Sequence, residues 1–157
     1  MESMIEISRT CDPGLVTELL THEDVWDEGK DDGVGAPEDF VPGFHDSVYY
    51  LVPWVGDEPM GIFIVTPSNS ITFEWHTGIL KPFRGKVAIA GCRLACDWMA
   101  HNTPARKLIT WVDVGARHVY LYARACGFGV EGISHGSLLK NGQLRDQYLM
   151  GRLLCQL

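Results

Sequence analysis

Long apolar runs are absent from this chain, and with them any segment able to cross a bilayer as a single helix. Positive charge is scarce as well: 13 Lys and Arg stand against 20 Asp and Glu, a formal net charge of −7. That balance argues against non-specific binding of nucleic acid, which needs a basic surface. The cysteines, Cys11, Cys92, Cys96, Cys126 and Cys155, are odd in number and contain no C-x-x-C pair. They suggest no disulfide framework and fit a reducing, cytoplasmic setting. Cys92 and Cys96 lie four residues apart, a spacing that a metal could use. Both sit among Ala, Leu and Met, so they read more simply as small core hydrophobes, and no metal is expected. The start, Met1-Glu2-Ser3-Met4, is neither basic nor followed by an apolar run, so no signal peptide is expected. Repeats and low-complexity tracts are missing too.

What is there suits a globular chain: 157 residues, 46% apolar and 21% charged, read as one domain over 1–157. Ile5-Glu6-Ile7 alternates as a short strand. Asp12-Pro13 is a helix start, and Leu15, Val16, Leu19 and Leu20 follow at helical spacing. A second short helix is expected over His22 to Asp27. Glu28 to Asp46, rich in Gly, Asp and Pro, reads as a long acidic surface loop. Its charges read as solvated or as an attraction for a cationic substrate. Three strands are expected next, Val48–Val52, Met60–Thr66 and Ile71–Leu80, joined by short turns. A helix over Val87–His101 then leads to a strand at Lys107–Val112 and a helix at Arg117–Cys126 that stops at Gly127. Two final strands, Val130–Leu139 and Leu144–Leu153, flank Asn141-Gly142, a strong hairpin signal. The crossover helix between the Ile71 and Lys107 strands implies a parallel pair. The fold class is therefore mixed α/β.

The most informative segment is Thr77 to Lys86. A strand runs into Lys81-Pro82-Phe83-Arg84-Gly85-Lys86, and that basic loop opens a helix. Backbone N–H groups at a helix start lack partners and the macrodipole adds positive charge, so this is a place for an anionic group such as a phosphate. On the strand, Thr72, Glu74, His76 and Gly78 share one face, while Ile71, Phe73, Trp75 and Ile79 share the other. Glu74 and His76 are candidate general bases; the alternative is a merely solvated or hydrogen-bonded face.

Three segments carry a resemblance to a known family. They are Pro82-Phe83-Arg84-Gly85-Lys86 before the Val87 helix, Leu121-Tyr122-Ala123-Arg124-Ala125-Cys126-Gly127-Phe128, and the Asn141-Gly142 hairpin after Glu131-Gly132. In their order and spacing they resemble the GNAT (Gcn5-related) N-acetyltransferases, including ribosomal-protein-acetyltransferase-like and phage-encoded branches. The resemblance implies a central, mostly antiparallel sheet with a parallel pair at the cofactor site and about four flanking helices. It implies acetyl-CoA as co-substrate, bound by Ile79, Leu80, Phe83, Arg84, Gly85, Lys86, Val87, Ala88 and Ile89. Backbone groups near Ile79 and Leu80 would hold the thioester carbonyl, freed in the family by a strand bulge. Tyr122 matches the tyrosine that protonates the leaving thiolate in many members, and its other reading is a core aromatic. Val87 and Ile89 depart from the family pattern, which has small residues there, and Gly115 stands where Asn is usual.

The expected function is direct transfer of an acetyl group to a primary amine on a protein, peptide or small molecule, by a monomer or homodimer in the cytoplasm. The alternative is a GNAT-type fold without catalysis, an interaction module of the phage-encoded kind directed at a host protein. No nucleic acid and no membrane are expected as partners.

Overall fold

The computed structural model describes residues 4–154, so Cys155 lies outside them. β-Branched and aromatic residues in alternation build one sheet that runs through the described chain. In chain order the elements are β1 (Ile5–Arg9), α1 (Pro13–Leu20), α2 (Glu23–Gly29), β2 (Tyr49–Val55), β3 (Glu58–Pro59) and β4 (Gly61–Pro67). Then come β5 (Thr72–Ile79), α3 (Lys86–Asn102), β6 (Lys107–Asp113), α4 (Arg117–Ala125), β7 (Gly129–Lys140) and β8 (Gln143–Leu153). Among the described residues, no helix is long and apolar enough to cross a membrane.

The strand order is β1-β2-β4-β5-β6-β8-β7, with β3 on the side of β2. All neighbours are antiparallel except β5 and β6, which run parallel across the α3 crossover as expected. The Asn141-Gly142 turn joins β7 to β8 with φ of 54° and 73°, the left-handed pair that a tight hairpin requires. Two expectations needed adjustment. The strand expected over Val48–Val52 runs on to Val55, with Pro53 tolerated because the β4 ladder stops at Leu51 and asks no N–H of it, while β1 pairs across it. The loop expected from Glu28 begins only after Gly29 and holds a single 3-10 turn at Pro37–Asp39.

Helices cover both faces. Asp12 caps α1, its Oδ1 accepting from Gly14 N at 2.9 Å, and Val16 and Leu19 then bury against Tyr50, Val52 and Ile62. On the opposite face α3 lays Ala88, Cys92, Ala95, Cys96 and Met99 onto Leu51, Phe63, Phe73 and Trp75. Its small residues allow a close approach: a Cβ on Gly91 would come within 3.1 Å of Met60 Cε. Cys92 and Cys96 are thus packing residues. His101 Nδ1 and Asn102 Nδ2 bond back to the carbonyls of Asp97 and Trp98 and close the helix.

Candidate active site

The site begins where two strands part. β5 and β6 pair only at Thr72–Glu74 against Lys107–Ile109. Ile71 O accepts from the backbone N–H of Arg106 at 2.7 Å and of Lys107 at 3.1 Å. Odd-numbered residues of this strand therefore turn their backbone groups towards β6. Beyond Glu74 that side has no strand partner, and the backbone of Trp75 and Thr77 faces an open gap, while Ile79 O accepts from Arg84 Nε at 3.2 Å. The strand bulge implied by resemblance is not found: β4 and β5 pair in unbroken register from Gly61–Ile79 to Pro67–Phe73. The backbone is freed instead because β6 follows β8 along its whole length and leaves β5. Leu80 is not free in the same way, since its N–H donates to Met60 O at 2.9 Å.

A cleft of about 460 Å³ opens on the α2 side of this gap. Glu74 and His76 form its floor, on one face of β5 as the alternation predicts, with Glu74 Oε1 and His76 Nε2 3.3 Å apart. Trp111 of β6 and Leu138 of β7 add apolar walls, and Ser134, Ser137 and Gln147 add polar ones. Gly29 and Asp31 line the remaining side. An irregularity between Ser134 and Leu138 shapes the hairpin wall. There Gly136 takes φ +60°, and Asp146 accepts from Gly136 N at 2.8 Å and meets His135 Nδ1 at 3.1 Å. These bonds, the Gly136 N–H first and His135 second, hold the Asp146 carboxyl below its usual range.

The basic loop has a different internal arrangement from a free cationic pocket. Lys81–Phe83 forms a 3-10 turn, and Gly85 turns the chain into α3 with φ of 103°, a conformation suited to glycine. α3 has no side-chain cap. Among the described residues, the backbone N–H groups of Lys86, Val87 and Ala88 have no acceptor before Ile89 N bonds Gly85 O at 3.1 Å. These donors, beside the open space at Gly85, are the part of the loop equipped to meet an anion. Val87 is 43% exposed at the helix start, while Ile89 packs against the core and Phe83 against the same cluster.

Arg84 turns away from this opening. Its guanidinium donates to both carboxylate oxygens of Glu28 at 3.2 Å, to Asp24 O at 2.7 Å and to Ile79 O at 3.2 Å. The buried Asp24 side chain accepts from Lys81 N at 2.9 Å. The loop is therefore bolted to α2. α2 itself is seated against β5, where a Cβ on Gly78 would collide with Val25.

Tyr122 lies between α4 and the start of α3, its hydroxyl donating to Ala88 O at 3.3 Å. Burial, then the neighbouring Cys92 and Cys126, push its pKa up strongly. The phenol is held protonated, and its proton is engaged with Ala88 O. Gly115 also has a local reason. A Cβ there would meet the Arg145 guanidinium, which is paired with Asp113 at 2.8 Å, so the usual Asn would require that guanidinium to move.

Several site residues carried no sequence signal. Asp24 falls inside the short helix expected over His22 to Asp27, Glu28 reads as the start of a solvated acidic loop, and Trp111 as packing or a pocket wall. Asp32 sits in the acidic loop, yet its two oxygens accept from Asn141 N and Gly142 N, each at 2.8 Å. Only the turn chemistry of Asn141-Gly142, whose N–H groups need acceptors, hinted at a partner.

No protein-family model matches the chain, and no curated protein matches it. Solved structures do. Spermidine N-acetyltransferase from Vibrio cholerae, in complex with CoA and spermine, superposes with a TM-score of 0.76 at 16% identity, over 98% of this chain and 97% of that one. Ribosomal-protein-S5-alanine acetyltransferase from Vibrio fischeri gives 0.75 at 13% identity, over 98% and 94%. A GNAT-family acetyltransferase from Streptococcus pneumoniae gives 0.71 at 15% identity, over 97% and 100%. At these identities the likeness establishes the fold.

Proposed function

We propose, from this GNAT acetyltransferase fold, that the chain is an N-acetyltransferase of one domain, 1–157, that moves an acetyl group from acetyl-CoA to a primary amine. The observation that carries the reading is the parting of β5 and β6. It leaves a backbone edge at Trp75 and Thr77 free to hydrogen-bond, flanked by the unpaired N–H groups of α3 and by the Glu74–His76 pair. Two of the superposed structures, a spermidine N-acetyltransferase and a ribosomal-protein-S5-alanine acetyltransferase, support an amine acceptor.

The residues present fit that co-substrate in part. Gly85 and the N–H groups of Lys86, Val87 and Ala88 suit a pyrophosphate, and the β5 edge suits a carbonyl oxygen. Acetyl-CoA supplies an activated thioester carbonyl. The amine nitrogen forms the new C–N bond as the C–S bond breaks. Glu74, with His76 beside it, takes the proton that the amine must lose. Tyr122 offers its hydroxyl to the departing sulfur, which requires it to leave Ala88 O.

A second reading, a GNAT fold used as a non-catalytic interaction module, is favoured by two observations. Arg84 is occupied by Glu28, and Val87 stands exposed where the family pattern is small. Calorimetry decides between them: acetyl-CoA binding supports the enzyme, and no binding at millimolar ligand supports the module. Mass spectrometry of amines incubated with protein and acetyl-CoA then tests transfer directly.

A further inference from the structure

The cleft beside Glu74 has an unusual fourth wall. It is made from the start of the acidic loop, and Asp32 ties that start to the final hairpin. Asp32 N donates to Leu139 O at 3.0 Å, and its carboxylate receives the N–H groups of Asn141 and Gly142 at 2.8 Å. The tip of the β7–β8 hairpin is thereby clamped to the chain that leaves α2. Asp31 and Leu138, the residues next to this clamp on either side, both line the cleft.

The lining has a simple charge pattern. It holds two carboxylates, Glu74 and Asp31, and no Lys or Arg. Glu74 faces His76 on the floor. Asp31 is exposed and makes no ion pair among the described residues; one of its oxygens accepts from Gly33 N at 2.8 Å, and no bond is made by the other. Trp111, 38% exposed, and Leu138 supply apolar surface to the same cleft. A site with a carboxylate on each of two walls and an aromatic face in the same lining suits a short apolar chain with a positive charge at both ends.

We propose that Asp31 is a specificity-determining residue that receives a second cationic group of the acceptor, and that Asp32 is the positioning residue that holds it there. This rests on reading the cleft as the acceptor site. The acceptor class is then a diamine: one amino group is presented at Glu74 and the other is held at Asp31. Among the described residues, neither Asp31 nor Asp32 makes a hydrogen bond or ion pair with the loop that begins α3.

Binding of putrescine and of butylamine, which share a four-carbon chain and differ by one charge, tests this by calorimetry at low salt. The expected result is about fivefold tighter binding of putrescine, the effect of one solvent-accessible charge pair, and loss of that preference in D31N. D32N is expected to lose the same preference while butylamine affinity stays near the unaltered value, and a thermal melt confirms that both variants fold. Equal affinity for the two amines, no binding of either, or a preference that survives in D31N overturns the proposal. Acetyl transfer to either amine is measured separately, so a catalytically silent protein that keeps the Asp31-dependent preference sinks the activity and not the subsite.

Discussion

Arg84 holds both carboxylate oxygens of Glu28 at 3.2 Å, and so the one arginine of the anion loop is engaged by the protein itself. The pair is solvent-accessible, with the side chains 36% and 53% exposed, and it competes with any phosphate brought to the loop. Glu28→Gln is expected to tighten acetyl-CoA binding by about two- to fivefold, the effect of releasing one such pair. Calorimetry reads it, and an unchanged affinity means that Arg84 takes no part in binding.

Glu74 and His76 share the cleft floor 3.3 Å apart. If they manage the amine proton, Glu74→Gln is expected to lower kcat/KM by about 10²- to 10⁴-fold, with His76→Asn acting in the same direction. Acetyl-CoA affinity should remain within error in both. Steady-state kinetics with a reactive amine checks this, and full activity in Glu74→Gln removes the carboxylate from the mechanism.

Gly115 leaves space that Arg145 fills on its way to Asp113, whose side chain is 15% exposed. Restoring the more usual residue with Gly115→Asn should displace the guanidinium and leave Asp113 with only the N–H of residue 115 as partner. A loss of about 1–3 kcal/mol in urea unfolding is expected. Unaltered stability would mean that the Arg145 side chain finds another route at no cost.

Asp32 and Asp146 both have carboxyl groups held below the usual value of 3.8, chiefly by backbone N–H groups of the hairpin. A lowered native pKa gives stability that is present above the unfolded value. It is lost as pH falls through the native one. The hairpin clamp should therefore be intact above about pH 4 and loosen below it. Urea midpoints between pH 2 and 7 should show an acid limb that is shallower in D32N and in D146N. An identical limb in both variants would assign the acid sensitivity to other groups.

The parts of the fold visible in the chain were those set by neighbours a few residues apart. Period-two runs marked the strands, Asp12-Pro13 the start of α1, and Asn141-Gly142 the final hairpin. The alternation of β5 put Glu74 and His76 on one face, and the structure places them there. The acidic stretch from Glu28 is the counter-case, because it reads as solvated and two of its members are structural clamps.

The sequence by itself determined the elements, their order and the single parallel pair, because dihedral preference and side-chain period act within one segment. Only the tertiary structure decided what the charges do. Glu28 meets Arg84 across 56 residues and Asp32 meets Asn141 across 109, separations at which no local pattern operates. The same holds for the gap at β5. It exists because β6 is committed to β8, and that choice of partner is made by the whole sheet.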